Sequence, residues 1–107
     1  MLPSVSVVIP CRNEEKTIHL VLDAIRAQSY PIELLQVVIA DGLSEDRTRQ
    51  EIAAFTNAHP DLGLLVVDNP KRIIPAGLNL AIKASKGDII VRMDAHSIPN
   101  PDYIARC

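Results

Sequence analysis

Three short, apolar runs in this sequence each end in a cluster of polar residues. The runs cover residues 5–10, 35–40 and 89–93, and the polar clusters begin at Cys11, Asp41 and Asp94. If the runs are neighbouring parallel strands, their polar ends emerge together at the carboxyl edge of one sheet, where open α/β folds collect ligands. The pattern therefore predicts both a class of fold and the place of a functional site.

Length and composition favour one α/β domain. A chain of 107 residues with 48% hydrophobic content is long enough for one core and too short for two independent ones. Aromatic residues make up only 3%, so the core is aliphatic, as in strands buried between two layers of helices. A net charge of −2 without a basic cluster offers little attraction to a nucleic-acid backbone. We expect a single domain over residues 1–107 and no nucleic-acid partner.

Neither a membrane segment nor a disulfide framework is visible in the sequence. No apolar stretch approaches the roughly 20 residues that span a bilayer, and the first residues lack the pattern of a signal peptide. The two cysteines, Cys11 and Cys107, do not have the spacing of a disulfide scaffold or of a metal knuckle. We therefore expect a cytoplasmic location and reduced thiols.

Helical patterns alternate with the strands. Ile18, Val21, Leu22 and Ile25 recur at helical spacing, and Asn13 is the expected cap of this first helix. A second helix is expected after Ser44, its cap, and ends near residues 59–60. A third strand over 64–67 precedes a helix that begins near Pro75 and ends at Gly87.

The fourth strand, over 88–93, is followed by a short helix near the end of the chain. Strands that alternate with helices need right-handed crossover connections. The order of elements predicts an α/β fold with a doubly wound, mainly parallel sheet, helices on both faces and a Rossmann-like layout.

Carboxylates stand where common nucleotide-binding folds carry glycines. The sequence has no G-x-G-x-x-G motif after its first strand and no P-loop, which disfavours a dehydrogenase or a P-loop ATPase. Instead, Glu14, Asp41 and Asp94 follow three strands, and His96 lies two residues after Asp94. This combination indicates a site for a metal ion and a nucleotide.

An ordered set of motifs along the chain resembles the nucleotide-sugar half of family-2 glycosyltransferases, which have the GT-A fold. The motifs are Val5-Ser6-Val7-Val8-Ile9-Pro10 with Asn13-Glu14, then Val37-Val38-Ile39-Ala40-Asp41-Gly42 with Ser44 and Asp46, then Gly77-Leu78-Asn79 with Ala81, Gly87-Asp88 and Asp94-Ala95-His96. The resemblance covers nearly the whole chain and is strongest to bacterial enzymes of exopolysaccharide synthesis, of the succinoglycan type.

The resemblance implies a set of nucleotide-binding residues. Pro10, Arg12 and Glu14 would border the nucleoside, and Asp41 would accept a charge-assisted hydrogen bond from the base. Glu14 has an alternative role as a favourable charge in the first turn of a helix. Lys71 and Arg72, in the loop before the third helix, would add positive charge near the phosphates or would be solvated.

Asp94 and His96 occupy the place of the family's Asp-x-Asp metal motif. The resemblance implies that they hold a divalent ion that neutralises the diphosphate leaving group. Imidazole in place of the second carboxylate favours Mn²⁺ over Mg²⁺ as the cofactor. The alternative for His96 is a hydrogen-bonding role behind the metal ligands.

The implied reaction is transfer of a sugar from a nucleoside diphosphate, expected to be UDP, to a hydroxyl of a saccharide or lipid-linked acceptor, with inversion. A general base must take the acceptor's proton. In the family, this carboxylate and the acceptor half lie later than Cys107, so no catalytic residue is assigned here. We therefore expect nucleotide binding without turnover, and self-association through the uncovered edge at 89–93.

Two other functions are compatible with such a scaffold. One is a non-catalytic nucleotide-binding or regulatory module, because a fold alone does not determine an activity. The other is a sugar nucleotidyltransferase, which would normally carry a glycine-rich basic loop after the first strand. Cys11-Arg12-Asn13-Glu14 stands at that position and is not such a loop.

Overall fold

A computed structural model describes residues 2–96 and 98–106, in which strands and helices alternate along the chain. Cys107, one of the two expected free thiols, lies outside the described residues. The elements, in order, are β1 (Val5–Cys11), α1 (Ile18–Arg26), a 3-10 turn (Ile32–Leu34), β2 (Leu35–Asp41), α2 (Thr48–Ala58), β3 (Gly63–Asp68), α3 (Ile74–Ala84), β4 (Ile89–Arg92) and α4 (Tyr103–Arg106).

The four strands form one parallel sheet in the order β3-β2-β1-β4. Strand β1 lies at the centre, where Val5 pairs with Leu35 of β2 on one side and with Ile89 of β4 on the other. All the strands run in the same direction, so their carboxyl ends meet at one edge of the sheet. The predicted doubly wound, parallel sheet is confirmed.

Helices cover both faces of the sheet, as the sequence predicts. Alternate residues of β1 and β2, such as Val7 and Val37, are fully buried together with Ile18 and Leu22 of α1. The intervening strand residues face α3, where a smaller cluster gathers Val8, Val38, Ala40 and Ala81. The period-2 pattern of each strand therefore supplies two cores, and the central strands hold the carboxyl edge in place.

The starts of the first two helices differ from the prediction. Helix α1 begins at Ile18 and not near Asn13, whose φ of 54° is left-handed. The Asn13 side chain instead accepts a hydrogen bond from the Glu45 backbone N–H at 2.8 Å. Ser44 likewise does not cap α2, which begins at Thr48, and its hydroxyl accepts from the Asn13 N–H at 2.9 Å. Both polar residues tie the β1–α1 loop to the β2–α2 loop.

Gly87 has a role other than the predicted helix stop. Helix α3 already ends at Ala84, and Ser85 is extended. Gly87 lies against the start of β1, where its N–H donates to the Ser6 hydroxyl at 2.8 Å. A Cβ at this position would lie 2.5 Å from the Ser6 backbone nitrogen. A glycine is therefore needed where the chain crosses β1 to begin β4.

Strand β4 is an edge strand of four residues, shorter than the predicted strand over 88–93. Ile89 and Ile90 are 39% and 43% exposed, so apolar surface is present at this edge. Self-association through it stays a prediction. Within residues 2–96 and 98–106, the structure contains no helix that is both long and apolar enough to cross a bilayer.

Candidate functional site

A cleft of about 140 Å³ opens at the carboxyl edge of the sheet. Three segments line it: the end of β1 with the loop that follows, the β3–α3 loop, and the turn after β4. The lining residues are Pro10, Cys11, Arg12, Glu14, Asn69, Arg72, Ile73, Ile74, Asp94, Ala95 and His96. Segments up to 86 residues apart in sequence thus form one concave surface at the place where parallel α/β sheets bind ligands.

Most of the residues proposed from the sequence line this cleft. The structure brings together Pro10, Arg12, Glu14, Arg72, Asp94 and His96. Asp41 and Lys71 are not in the lining. Asp41 lies at the end of β2 on the same edge of the sheet, and Lys71 is exposed in the β3–α3 loop. The nucleotide-binding roles given to these residues stay predictions.

The Arg12 guanidinium forms one wall of the cleft. Its Nε donates to the Gly42 carbonyl oxygen at 3.0 Å, and its Nη2 lies 3.5 Å from the Glu45 carboxylate. The aliphatic part of the side chain lies beside Gly42, where a Cβ would be 3.2 Å from the Arg12 Cδ. The β2–α2 loop therefore orients a cation that remains partly exposed to the cleft.

Asp41 is buried behind this wall, and its carboxylate has several partners. The Ser44 backbone N–H donates to Oδ2 at 3.2 Å, and the Ser44 hydroxyl donates to Oδ1. Arg49 Nη1 lies 3.2 Å from Oδ2, and the Cys11 thiol is 3.7 Å from Oδ1. The side chain is only 1% exposed. In this arrangement Asp41 organises the two loops beside the cleft.

Cys11, a free thiol, lies between the cleft and Asp41. Burial, and then the neighbouring Asp41 carboxylate, raises the pKa of the Cys11 thiol to about 12. The thiolate is therefore scarce at neutral pH, and since the thiolate is the reactive form, Cys11 is not a candidate nucleophile.

We expect Cys11 to make the protein less stable in alkali. The folded thiol keeps its proton up to about pH 12, whereas an unfolded thiol loses it near 9.0. The folded state then binds more protons between these values, so the free energy of unfolding falls as pH rises through that window. Urea unfolding at pH 8 and pH 10 should show that the wild type loses roughly 1 kcal/mol more than Cys11→Ala. Equal losses in the two proteins would contradict this assignment.

The turn after β4 presents one carboxylate and one imidazole to the solvent. Asp94 is about half exposed and lies 3.5 Å from Arg92 Nη2. His96 Nδ1 lies 3.8 Å from the Glu14 carboxylate. In the part of the chain that the structure describes, no group of three or more His, Cys, Asp or Glu side chains is arranged to hold a metal ion. Asp94 and His96 are an O,N donor pair that suits Mn²⁺ once a ligand supplies further oxygens.

Thr17 connects the first loop to this turn, a role that no sequence motif indicated. Its hydroxyl donates to the Ala95 carbonyl oxygen at 2.9 Å and lies 3.3 Å from the Glu14 carboxylate. Thr17 is also the N-cap residue of α1, yet its side chain makes no capping hydrogen bond. A threonine at this position usually caps its own helix. Here the hydroxyl instead fixes the Asp94–His96 turn relative to Glu14.

Replacing Thr17 by valine should loosen this turn at a modest cost in stability. The change removes one hydrogen bond of about 1 kcal/mol and keeps the shape of the side chain. The amide of Met93, which donates to Val8 at the end of β4, should then exchange its hydrogen faster. Thr17→Ser should restore slow exchange.

Thr56 offers a matched control, because its hydroxyl donates to the Ile52 carbonyl oxygen within α2, also at 2.9 Å. Thr56→Val should leave exchange at Met93 unchanged. Faster exchange in both valine variants would show that Thr17 contributes only general stability.

The β3–α3 loop contributes Asn69, a lining residue that the sequence analysis did not single out. Asn69 is 3% exposed, and its Nδ2 donates to the Ile73 carbonyl oxygen at 2.9 Å. Arg72, three residues later, has a φ of 60°. Non-glycine residues rarely adopt this left-handed conformation, and they cluster at functional sites. The Asn69-Pro70 pair reads as an ordinary turn in the sequence, which conceals the buried amide.

Comparison with known proteins identifies the family. The family model described as glycosyl transferase family 2 matches residues 6–107. The chain belongs to glycosyl transferase family 2. The resemblance recognised in the sequence motifs is therefore confirmed, and residues of the matched segment line the whole cleft.

Similar proteins and solved structures agree with this assignment. Succinoglycan biosynthesis protein ExoA of Rhizobium meliloti is 39% identical over 102 residues, covering 94% of this chain and 30% of that protein. A mannosyltransferase, PcManGT from Pyrobaculum calidifontis, was solved in complex with GDP-Man and Mn²⁺. It superposes with a TM-score of 0.92 at 36% identity, covering 98% of this chain and 31% of that one.

A third comparison is S. aureus TarS, solved in complex with UDP. It has a TM-score of 0.82 at 25% identity, and the match covers 96% of this chain and 30% of that one. These neighbours confirm the GT-A fold. The present chain spans about a third of the length of these proteins.

Proposed function

We propose that this chain is the donor-binding part of an inverting, metal-dependent family-2 glycosyltransferase that uses a UDP-sugar in polysaccharide synthesis. The observation that carries the proposal is the cleft, which gathers two guanidinium groups and the Asp94–His96 turn at the carboxyl edge of the sheet. ExoA, a relative named for succinoglycan biosynthesis, supports the polysaccharide context. TarS, solved with UDP, and PcManGT, solved with GDP-Man, support a nucleoside diphosphate as the ligand, and of the two nucleotides we propose UDP.

The cleft residues divide between the nucleoside and the diphosphate. Pro10, Arg12 and Glu14 border the nucleoside, while Arg72 supplies positive charge to the phosphates. Asp41 keeps the Arg12 wall in place through Ser44, which links the two loops. Lys71 is exposed on the β3–α3 loop and would add long-range attraction for an anionic donor.

Asp94 and His96 would hold the divalent ion together with the oxygens of the diphosphate. PcManGT, solved in complex with GDP-Man and Mn²⁺, supports a divalent metal as the cofactor. A bound divalent ion neutralises the negative charge that develops on a departing diphosphate. Arg92 Nη2 lies 3.5 Å from Asp94 Oδ1 and orients that carboxylate before the donor binds.

Turnover needs parts that the described cleft does not supply. Inversion at the anomeric carbon requires a general base beside the acceptor hydroxyl. We propose that the base and the site for a saccharide or lipid-linked acceptor belong to later segments, so that this chain alone binds the donor without transferring sugar. The cytoplasmic location, with the longer protein at the inner face of the membrane, also stays a prediction.

Calorimetric titration with UDP and GDP, each with and without Mn²⁺, tests the proposal. We expect UDP to bind more tightly than GDP, and Mn²⁺ to strengthen UDP binding by at least about tenfold, because the ion screens the diphosphate from Asp94. Asp94→Asn should abolish most of the gain due to Mn²⁺. Sugar transfer by this chain alone would refute the proposed lack of turnover.

Asp61→Asn is the matched control for Asp94→Asn. Asp61 is 44% exposed and pairs with Arg26, much as Asp94 is 48% exposed and pairs with Arg92. It does not line the cleft, so the gain due to Mn²⁺ should persist. Failure of both nucleotides to bind would favour an α/β module with another role. Binding without any effect of Mn²⁺ would remove the metal from the proposal.

The exposed edge of β4 leads to a separate prediction, self-association at high concentration. Edge strands with apolar side chains pair readily with other strands, and a lysine on the edge discourages such pairing. Sedimentation of the wild type should show dimers that Ile90→Lys removes. Leu65→Lys is the control on the opposite edge strand, β3, where Leu65 is similarly exposed at 41%. A wild-type monomer at all concentrations would contradict the prediction.

A further inference from the structure

The side-chain oxygen of Asn69 is a buried hydrogen-bond acceptor without a partner. Among the described residues, only Asn69 Oδ1 and His19 Nδ1 are buried polar side-chain atoms that lack a hydrogen bond. His19 lies on α1 and does not line the cleft, whereas Asn69 does. Buried polar groups in proteins are nearly always paired, so an exception in the wall of a binding cleft indicates a missing donor.

The orientation of the Asn69 amide is fixed from several sides. Its Nδ2 donates to the Ile73 carbonyl oxygen at 2.9 Å, so a flipped amide would place two acceptors against each other. The Asn69 backbone N–H donates to Asp41 O at 2.8 Å, and its carbonyl oxygen accepts from the Arg72 N–H at 3.1 Å. The free oxygen therefore has a defined position in the cleft wall.

The neighbouring helix leaves room for this side chain. Gly77 lies in the first half of α3, where a Cβ would be 2.8 Å from Asn69 Nδ2. Glycine within a helix is unfavourable relative to alanine, so its presence here needs a packing reason. Gly77 thus makes room for a rigid, buried asparagine. Its nitrogen donates a hydrogen bond within the protein, whereas its oxygen remains available to accept one from a ligand.

The chemistry of the oxygen selects the part of the donor that it can contact. A carbonyl oxygen only accepts hydrogen bonds, and a diphosphate carries acceptor oxygens, so the two would repel. A nucleoside, in contrast, carries N–H groups on its base and O–H groups on its ribose. Asp41, the residue that the family resemblance assigns to the base, is buried with both oxygens engaged by Ser44 and Arg49.

We propose that Asn69 Oδ1 accepts a hydrogen bond from the donor nucleoside, either from the base N–H or from a ribose hydroxyl. This inference rests on the proposed function and adds a specificity-determining contact to it. Because this oxygen is buried, binding requires a displacement that opens the cleft wall at Asn69. Arg72 and Ile73 are exposed residues of the same loop and also line the cleft.

A set of matched ligands separates this contact from a purely structural role. Wild type, Asn69→Ala and Asn79→Ala are titrated, with Mn²⁺ present, with UDP, N3-methyl-UDP and 2′-deoxy-UDP. Asn79 is an exposed asparagine on α3 and serves as the control. In the wild type and the control, the analogue that lacks the recognised donor should bind about 3- to 10-fold more weakly than UDP. In Asn69→Ala, that analogue and UDP should bind equally well.

The pattern of losses determines the result. Loss of discrimination against N3-methyl-UDP assigns the base N–H, and loss of discrimination against 2′-deoxy-UDP assigns the ribose hydroxyl. If Asn69→Ala weakens all three ligands by one factor, or the wild type binds all three alike, the inference is wrong while the proposed function stands. If the wild type binds neither UDP nor GDP, both fail.

A measurement on the unmodified protein covers the case in which Asn69→Ala does not fold. The side-chain N–H resonances of Asn69 are followed by NMR as UDP and the two analogues are added. We expect a shift with UDP that the analogue lacking the recognised donor does not reproduce. Identical responses to all three ligands would overturn the inference.

Discussion

Asp41→Asn should lower the free energy of unfolding by about 3 kcal/mol, as measured by urea denaturation near neutral pH. The Asp41 carboxylate is buried and receives hydrogen bonds from Ser44 and from the Arg49 guanidinium. Asparagine offers one oxygen and one N–H₂ group. At least one donor of Ser44 or Arg49 would therefore face the asparagine N–H₂ group, which is itself a donor. The two loops that Asp41 joins should loosen, and UDP binding should weaken with them.

Asp68 provides the control for Asp41, because the two carboxylates share one guanidinium. Arg49 Nη1 lies 2.7 Å from Asp68 Oδ1 and 3.2 Å from Asp41 Oδ2, but the Asp68 side chain is 64% exposed. Exposed ion pairs contribute little to stability, so Asp68→Asn should cost less than about 1 kcal/mol. Similar losses in the free energy of unfolding of the two variants would show that the contribution of Asp41 to stability does not depend on its burial.

Gly87→Ala should destabilise the fold by about 3 kcal/mol. The added Cβ would lie 2.5 Å from Ser6 N and 2.8 Å from the Val5 carbonyl carbon, and both are backbone atoms of the central strand. A flexible side chain can move away from such a contact, whereas the backbone of β1 is held by β2 and β4 on both sides. Thermal and urea unfolding measure the effect.

Gly63→Ala is the matched control. Gly63 is the first residue of β3, and Gly87 lies two residues before β4. A Cβ there would meet only the Leu35 carbonyl oxygen at 3.6 Å, which is an ordinary contact. We expect a change within about 1 kcal/mol of the wild type. If Gly87→Ala lowered the free energy of unfolding as little as Gly63→Ala, the close approach of Gly87 to β1 would not be the reason for a glycine at position 87.

The sequence predicted the fold well where the signal was local. Val5–Cys11 and Leu35–Asp41 are rich in valine and isoleucine, and Ile18, Val21, Leu22 and Ile25 repeat at helical spacing. These patterns depend only on neighbouring residues, and the right-handed crossover then determines a parallel sheet. The positions where helices begin were less predictable, because Asn13 and Ser44 bond across to other loops and do not cap helices.

The site was predictable as far as it consists of strand ends. Glu14 and Asp94 could be identified because each follows an apolar run, and the parallel sheet brings those ends together. Thr17 and Asn69 were missed because their roles depend on partners that sequence does not reveal. The Thr17 bond reaches a carbonyl 78 residues away, and the burial of Asn69 depends on the packing of α3. The burial of Asp41 was not predictable for the same reason, because it also depends on how other segments pack around it.

Paramagnetic broadening by Mn²⁺ tests the central claim most directly, namely that the Asp94–His96 turn and the cleft form one site for a metal and a nucleotide. Amide signals are recorded with substoichiometric Mn²⁺ before and after UDP is added, with diamagnetic Mg²⁺ as the reference. With UDP present, the amides of Asp94, Ala95 and Arg12 should broaden first, whereas Leu34 and Lys86 at the opposite edge of the sheet should stay sharp. Broadening centred away from the cleft, or broadening that UDP does not change, would contradict the account.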